Sequence, residues 1–345
     1  MCLFKILDNC MINFPKRVDV LLIVRGLASI SVIFWHLGGY LMREDYLSSF
    51  FIVPGRLAVW LFFMMSGYLI GYGLIYGKYR ESWDGIRRFY FNRLLRIYPI
   101  FLVVSLVSLI LLYSDITVNL GFIAQEFLML QWRHDYQLNE VFWTLGVEAH
   151  LYLIAPFLVF GFQAIFGKSK KWLLYLIVLI LFWLYAQTHV ASYNKNLVDW
   201  DIRSFMGGIS HFTLGIMLAG YKDKIIQMGS KKFFIAFVSL LTLTFLMYFN
   251  HKNDLSFDKV IVSHLIGAGI IMLHVVVESR AIKAGFGVKL LMILGVLSYG
   301  IYAWHGLLTI NGIFVDNLLV HLALCLILAY TTYLLVERPL LAFRL

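Results

Sequence analysis

Arg25 and His36 stand eleven residues apart inside the first long apolar run of the chain, about residues 18–41. On a helix, eleven steps leave only about 20° after three turns, so the two side chains share one face, separated by about 16 Å along the axis. Ionisable groups at membrane depth are costly, and by default they mark substrate sites or proton relays. A second apolar run opens with Trp143-Thr144-Leu145-Gly146-Val147-Glu148, and His305 and His211 lie in two others. Counted from the ends of their runs, His36, Glu148, His305 and His211 fall at similar depth. A carboxylate beside an imidazole fixes its tautomer and raises its basicity. That is equipment for general-base chemistry. The spacing therefore predicts a layer of histidines around one carboxylate, with Glu148 orienting His36. Arg56 follows Pro54-Gly55 near a run end. Two readings apply to it: a snorkelling side chain, or part of an outer substrate entrance. His211, for all its matching depth, reads with His264, His274 and His321 as a helix–helix hydrogen bonder, and His150 as a packing residue on another face from Glu148.

Arg87, Arg88, Arg93 and Arg96 precede Pro99, where the third run is expected to begin. Arg93 and Arg96 are three apart and share a helix face. Guanidinium groups bind phosphate in bidentate fashion. Attraction to anionic lipid and binding of a phosphorylated ligand both fit this group. No H-x3-H pairing occurs within a helix, so no metal is expected. The three cysteines, Cys2, Cys10 and Cys325, form neither a disulfide framework nor a zinc pattern. No Walker A sequence occurs, and no G-x-S-x-G or G-x-G-x-x-G stands in a suitable context.

The elements that must position these residues are membrane spans. The chain has 345 residues, 61% hydrophobic and only 14% charged, and its mean hydropathy is +0.82. Soluble domains run at about 45–50% apolar and about 25% charged. Runs of about 20 apolar residues suit helices that cross a hydrocarbon core. Ten are expected, at about 18–41, 51–76, 97–113, 141–166, 172–190, 204–221, 232–250, 260–278, 289–311 and 317–336. The stretch 120–130 reads as an interfacial helix. The first run is expected to stay as an anchor rather than be cleaved. The fold class expected is an all-α bundle of about ten transmembrane helices, one domain over 1–345, with 1–17 a cytoplasmic tail. With both termini in the cytoplasm, 21 of the 29 Lys and Arg residues fall on the inner side. The net charge of +10 thus records orientation, and nucleic acid is not an expected partner.

Together these motifs resemble the membrane acyltransferase-3 family. The resemblance rests on Arg25-x10-His36, Leu61 through Tyr68, Arg93-x2-Arg96-x2-Pro99, Trp143 through Glu148 with Leu151-Tyr152, Ser298 through His305, and Glu337-Arg338-Pro339. Many members carry Asp where Trp60 stands and a second Glu where Ala149 stands. The resemblance implies the form without an appended hydrolase-like domain. It implies transfer of an acyl group, usually acetyl, from cytoplasmic acyl-CoA to a hydroxyl of a surface glycan or a lipid-linked sugar, in the cytoplasmic (inner) membrane of a bacterium. Under it His36 is general base or acyl relay, with Glu148 and Arg25 as its catalytic companions. Arg25, Arg93 and Arg96 bind the donor, while Trp143, Tyr302, His305 and Arg56 face the acceptor. A proton-coupled transporter of a small anionic solute is the alternative, because an Arg with a His/Glu cluster also suits that role.

Overall fold

The computed structural model describes residues 16–41, 55–112, 120–130, 138–167, 170, 172–181, 184, 205–229, 231–233, 235–239, 242, 256–309 and 318–345. The described residues are helical apart from turns and one isolated bridge between Arg17 and Lys283. The principal helices are α1 (Val20–Leu41), α2 (Gly55–Ile75), α3 (Trp83–Leu112), α4 (Leu120–Phe127), α5 (Trp143–Pro156), α6 (Phe205–Gly220), α7 (Ser256–Ser279), α8 (Phe286–Thr309) and α9 (Leu318–Thr332). Seven helical stretches among the described residues are long and apolar enough to cross a membrane. Two shorter apolar helices, Trp172–Leu181 and Phe205–Gly220, fall on the fifth and sixth expected spans. The expected span at 232–250 lies partly outside the described residues, as does the tail up to residue 15.

The third span differs from its expected form. Arg87 to Arg96 were expected before the span, but the apolar helix α3 begins at Trp83 and carries them all. Ser82 Oγ accepts from the Gly85 N–H at 3.2 Å, and Asp84 sits in the first turn, where a negative charge meets unpaired amides. From there Phe89, Asn92, Ile97, Ile100, Phe101 and Val104 form one continuous buried face. Pro99 removes only the bond to the Leu95 carbonyl, and packing on that face outweighs the loss. The proline of α5 acts more strongly. After Pro156 the chain runs through a π-helical segment, Phe157–Gly161, before resuming as Phe162–Phe166.

Small residues set how closely the helices approach. A Cβ on Gly67 of α2 would meet the Phe212 carbonyl of α6, and one on Gly215 of α6 would meet the Met64 carbonyl of α2. The two backbones are therefore in direct contact. A second such seam joins α1 to α8, where Gly295 lies against the Leu22 carbonyl and Gly26 against Leu294. Asp19 Oδ1 caps α1 by accepting from the Leu21 and Leu22 amides at 2.9 and 3.2 Å. The loops at one end of the bundle are tied together. Val18 N donates to Ile282 O at 2.8 Å, Lys222 Nζ bonds Glu278 at 2.9 Å, and Tyr76 OH donates to Asp223 at 3.0 Å. This is the end where the charge count put Lys16, Arg17, Lys222 and Lys283, and it is called the basic end below.

Gly215→Val should disrupt the α2–α6 seam, since overpacking costs about 1–3 kcal/mol or more and here the clash is with backbone. Gly161 has open space around its Cα, so Gly161→Ala should leave stability unchanged or raise it. Thermal denaturation in detergent, read by size exclusion, checks both; equal midpoints for the two variants would contradict this packing.

Candidate active site

A cavity of about 50 Å³ lies between α1, α2, α5 and α8. Val59, Phe62, Phe63 and Leu145 supply its apolar wall, and Arg25, Ser66, Thr144, Glu148, Ser298, Tyr299 and Tyr302 its polar one. Glu148 accepts a hydrogen bond from Ser66 Oγ at 2.6 Å and a short one from Tyr152 OH, one turn further along α5. Arg25 faces the same space with its guanidinium 6.0 Å from the Phe62 ring centre, and its Nε is buried without a hydrogen-bond partner. A cation and a carboxylate thus line one small polar volume, the carboxylate held by two hydroxyls.

Away from the basic end the polar lining continues to a histidine pair. Thr144 Oγ1 donates to Tyr302 OH at 3.0 Å, and Tyr302 OH donates to Val141 O at 3.1 Å. The Tyr302 ring lies 5.2 Å from that of His305. His305 and His36 stack at 5.2 Å, with His305 Nε2 and His36 Nδ1 3.0 Å apart. His305 Nδ1 lies 2.5 Å from the Tyr302 carbonyl, which can only accept. That carbonyl assigns the proton of neutral His305 to Nδ1 and makes Nε2 the acceptor. His36 then donates from Nδ1 and carries its lone pair on Nε2. Asn139 anchors the start of α5 to α8 by donating from Nδ2 to Ala303 O at 3.0 Å. Trp143, just beyond it, is buried edge-on to Phe63 with ring centres 6.5 Å apart.

Toward the basic end the same column continues through Tyr152. Arg93 lies with its guanidinium carbon 5.6 Å from the Tyr152 ring centre and 5.7 Å from that of Phe89, and its Nε is buried without a partner. Arg96 forms a close ion pair with Glu337 and lies 5.8 Å from the Tyr299 ring centre. Tyr299 OH donates to Ile97 O at 2.6 Å.

The expected layer is therefore divided. His36 meets His305, Glu148 meets Ser66 and Tyr152, and the orienting hydrogen bond expected from Glu148 comes from His305 instead. Depth counting set these residues level but left open the direction in which each points around its helix axis. His211 lies outside the cavity lining. It stacks on Trp60 at 5.1 Å and on His264 at 3.9 Å, and its Nε2 lies 2.6 Å from Ser263 Oγ on α7. His150 bonds its own helix at Gly146 O, and His321 lies 3.3 Å from Thr309 Oγ1. The Arg56 side chain lies outside the described residues. Among the described residues no three His, Cys, Asp or Glu side chains gather as a metal group.

Sequence reasoning assigned no role to Ser66, Ser298, Tyr299, Tyr152 or Glu337. Tyr152 stood within reach, because it lies one turn from Glu148. Ser298, Tyr302 and His305 recur at helical spacing along α8 and share its cavity-facing side. Glu337, a lone carboxylate ending an apolar run, demanded a cationic partner.

A multi-pass helical bundle with charged groups gathered around a small internal cavity defines an integral membrane protein with an intramembrane polar site. Residues 19–336 match the Acyltransferase domain family, acyltransferase-3, and the chain belongs to that family. It is a multi-pass membrane acyltransferase. ORF330 of Acidianus two-tailed virus, named as an acetyltransferase, is 26% identical over 303 residues, covering 85% of this chain and 83% of that one. A Haemophilus influenzae protein is 32% identical over 151 residues, 39% of this chain and 60% of its own length. O-acetyltransferase OatA of Staphylococcus aureus is 24% identical over 358 residues, 94% of this chain; the chain spans 57% of OatA's length. No solved structure matches the chain.

Removing Glu337 leaves the Arg96 charge in the bundle without its carboxylate. Glu337→Ala should lower stability by about 3–5 kcal/mol, whereas replacing both partners with apolar residues of similar volume should recover most of the loss. A double-mutant cycle on thermal unfolding tests this; additive losses would show that the pair is not coupled.

Proposed function

We propose that the protein transfers an acetyl group from cytoplasmic acetyl-CoA to a hydroxyl of a surface glycan or lipid-linked sugar, in the inner membrane of a bacterium with both its termini in the cytoplasm. The observation that carries this reading is the polar column itself. It runs from Arg93 through Tyr152 and Glu148 to the cavity, then by Tyr302 to His305 and His36. The OatA name supports O-acetyl transfer, and the basic end supports a phosphorylated donor on the cytoplasmic side.

In this reading Arg93 and Arg96 receive the donor phosphates at the basic end, and Arg25 holds the donor arm inside the bundle. Arg25 and His36 stand about 16 Å apart along α1, too far for both to act at one carbonyl, so Arg25 positions the donor. The thioester lies near His36. His36 Nε2 accepts the proton of the acceptor hydroxyl while its oxygen forms a bond to the thioester carbonyl carbon. The C–S bond then breaks, and the leaving thiolate takes that proton to become free CoA. His305 fixes the His36 tautomer, so it is a positioning residue. Glu148, held by Ser66 and Tyr152, lines the cavity together with Arg25. Trp143 and Tyr302 face the acceptor side, to which the sequence reading also assigns Arg56.

His36→Ala should lower transfer by about 10²–10⁴-fold while the protein stays folded in the membrane. Mass spectrometry of envelope glycans from cells carrying either form reads the outcome, and wild-type acetylation by the variant would overturn the assignment. Arg25→Lys should weaken donor use, because an ammonium lacks the guanidinium fork. An unchanged KM for acetyl-CoA would remove Arg25 from the donor site.

A further inference from the structure

The lining of the cavity leaves one donor and one acceptor unspent. Its hydroxyls all give their protons to the protein. Ser66 donates to Glu148 Oε1 at 2.6 Å, Ser298 to Gly295 O at 2.8 Å, and Tyr299 to Ile97 O at 2.6 Å. Thr144 donates to Tyr302 OH at 3.0 Å, and Tyr302 to Val141 O at 3.1 Å. The Tyr152 hydroxyl also reaches Glu148 Oε1, so both hydrogen bonds to this carboxylate fall on the same oxygen. Among the described residues Glu148 Oε2 accepts none. Arg25 Nε is buried and has no acceptor.

Arg25 and Glu148 line one volume of about 50 Å³, so a group that fills it meets both. An engineered cavity of about 150 Å³ holds one benzene molecule, and about a third of that holds only a few non-hydrogen atoms. A phosphate would be attracted by Arg25 but repelled by the Glu148 carboxylate. The group that satisfies both residues is small and neutral, with an acceptor and a donor on neighbouring atoms. A secondary amide has that form, its carbonyl toward Arg25 and its N–H toward Glu148 Oε2. Both hydrogen bonds are then charge-assisted. Val59, Phe62, Phe63 and Leu145 supply apolar surface for methylene groups flanking the amide.

We propose that the cavity seats an amide of the donor's pantetheine arm, the one nearest the sulfur, and that Glu148 Oε2 accepts its N–H. The inference rests on the acyl-CoA reading above and adds to it a role for Glu148, which acts on the donor and not on His36. A two-carbon spacer separates this amide from the sulfur. With the amide seated, the thioester extends past Tyr302 toward His305 and His36. The donors selected are acyl thioesters on an amide-bearing arm. Thioesters on plain alkyl chains make neither contact.

The test is calorimetric titration of the purified full chain in detergent. CoA and a CoA analogue whose sulfur-proximal amide is an ester serve as separate probes. The two share their phosphates and differ only where the N–H is replaced by oxygen. The parent should bind CoA about 10–100-fold more tightly than the ester, because the ester oxygen turns a lone pair toward Oε2 where the amide has a proton. Glu148→Gln can turn its own amide N–H to that oxygen, so its preference for CoA should shrink to within about threefold. A carboxylate that serves only to hold Ser66 and Tyr152 would change both affinities alike and leave the ratio as in the parent. That result would overturn this inference alone, as would equal affinities in the parent, a comparison that stands even where the variant fails to fold. A parent that binds neither probe would overturn the acyl-CoA reading as well.

Discussion

Charge held inside an apolar bundle is the constraint on which the rest of the structure depends. A guanidinium or a carboxylate taken out of water is tolerated only when partners on other helices compensate it. Each ionised group near the cavity meets that demand differently. Arg96 pairs with Glu337 across α3 and the end of the last span, and Glu148 takes hydroxyls from α2 and from its own helix. Arg25 and Arg93 are compensated least, each keeping a buried Nε without a partner. The helices must arrive at fixed heights and rotations for these pairs to form. Glycine seams between α2 and α6 and between α1 and α8 supply that precision. The first seam sets Ser66 opposite Glu148, and the second lets His36 reach His305.

Incomplete compensation is also what makes the column chemically useful. A fully paired set of charges would stiffen the bundle and bind nothing further. Unmet donor capacity on Arg25 and Arg93 favours an anionic ligand along the route from the basic end to the histidines. At the far end the compensation is of another kind. The chain from the Tyr302 carbonyl through His305 to His36 fixes the tautomers of the stacked pair. Cationic seats at one end and a base at the other suit a donor whose phosphates and reactive carbonyl lie far apart.

Much of this was legible in the sequence, and the remainder was not for identifiable reasons. Hydropathy located the helices, because runs of about 20 apolar residues have few other solutions. Depth arithmetic drew attention to Arg25, His36, Glu148 and His305, since each breaks an apolar run. It failed on azimuth for Glu148, whose direction depends on Ser66 and Tyr152, whereas His211 makes the helix–helix hydrogen bond expected of it, to Ser263. The start of α3 was misplaced because its charges read as a loop, whereas Phe89, Asn92 and Ile97 bury a continuous face. Pairings such as Arg96 with Glu337 or Asn92 with Leu345 join residues more than 200 positions apart, and no local pattern announces them.

Sided donor use tests the central claim most directly. Inverted and right-side-out membrane vesicles containing the protein would be given acetyl-labelled acetyl-CoA from the bulk solution only. Label should enter glycan or lipid-linked sugar, with release of free CoA thiol, when the donor contacts the cytoplasmic face and not when it contacts the outer one. Incorporation from the outer face, or movement of a solute with the thioester left intact, would contradict a column that carries an acyl group from Arg93 to His36.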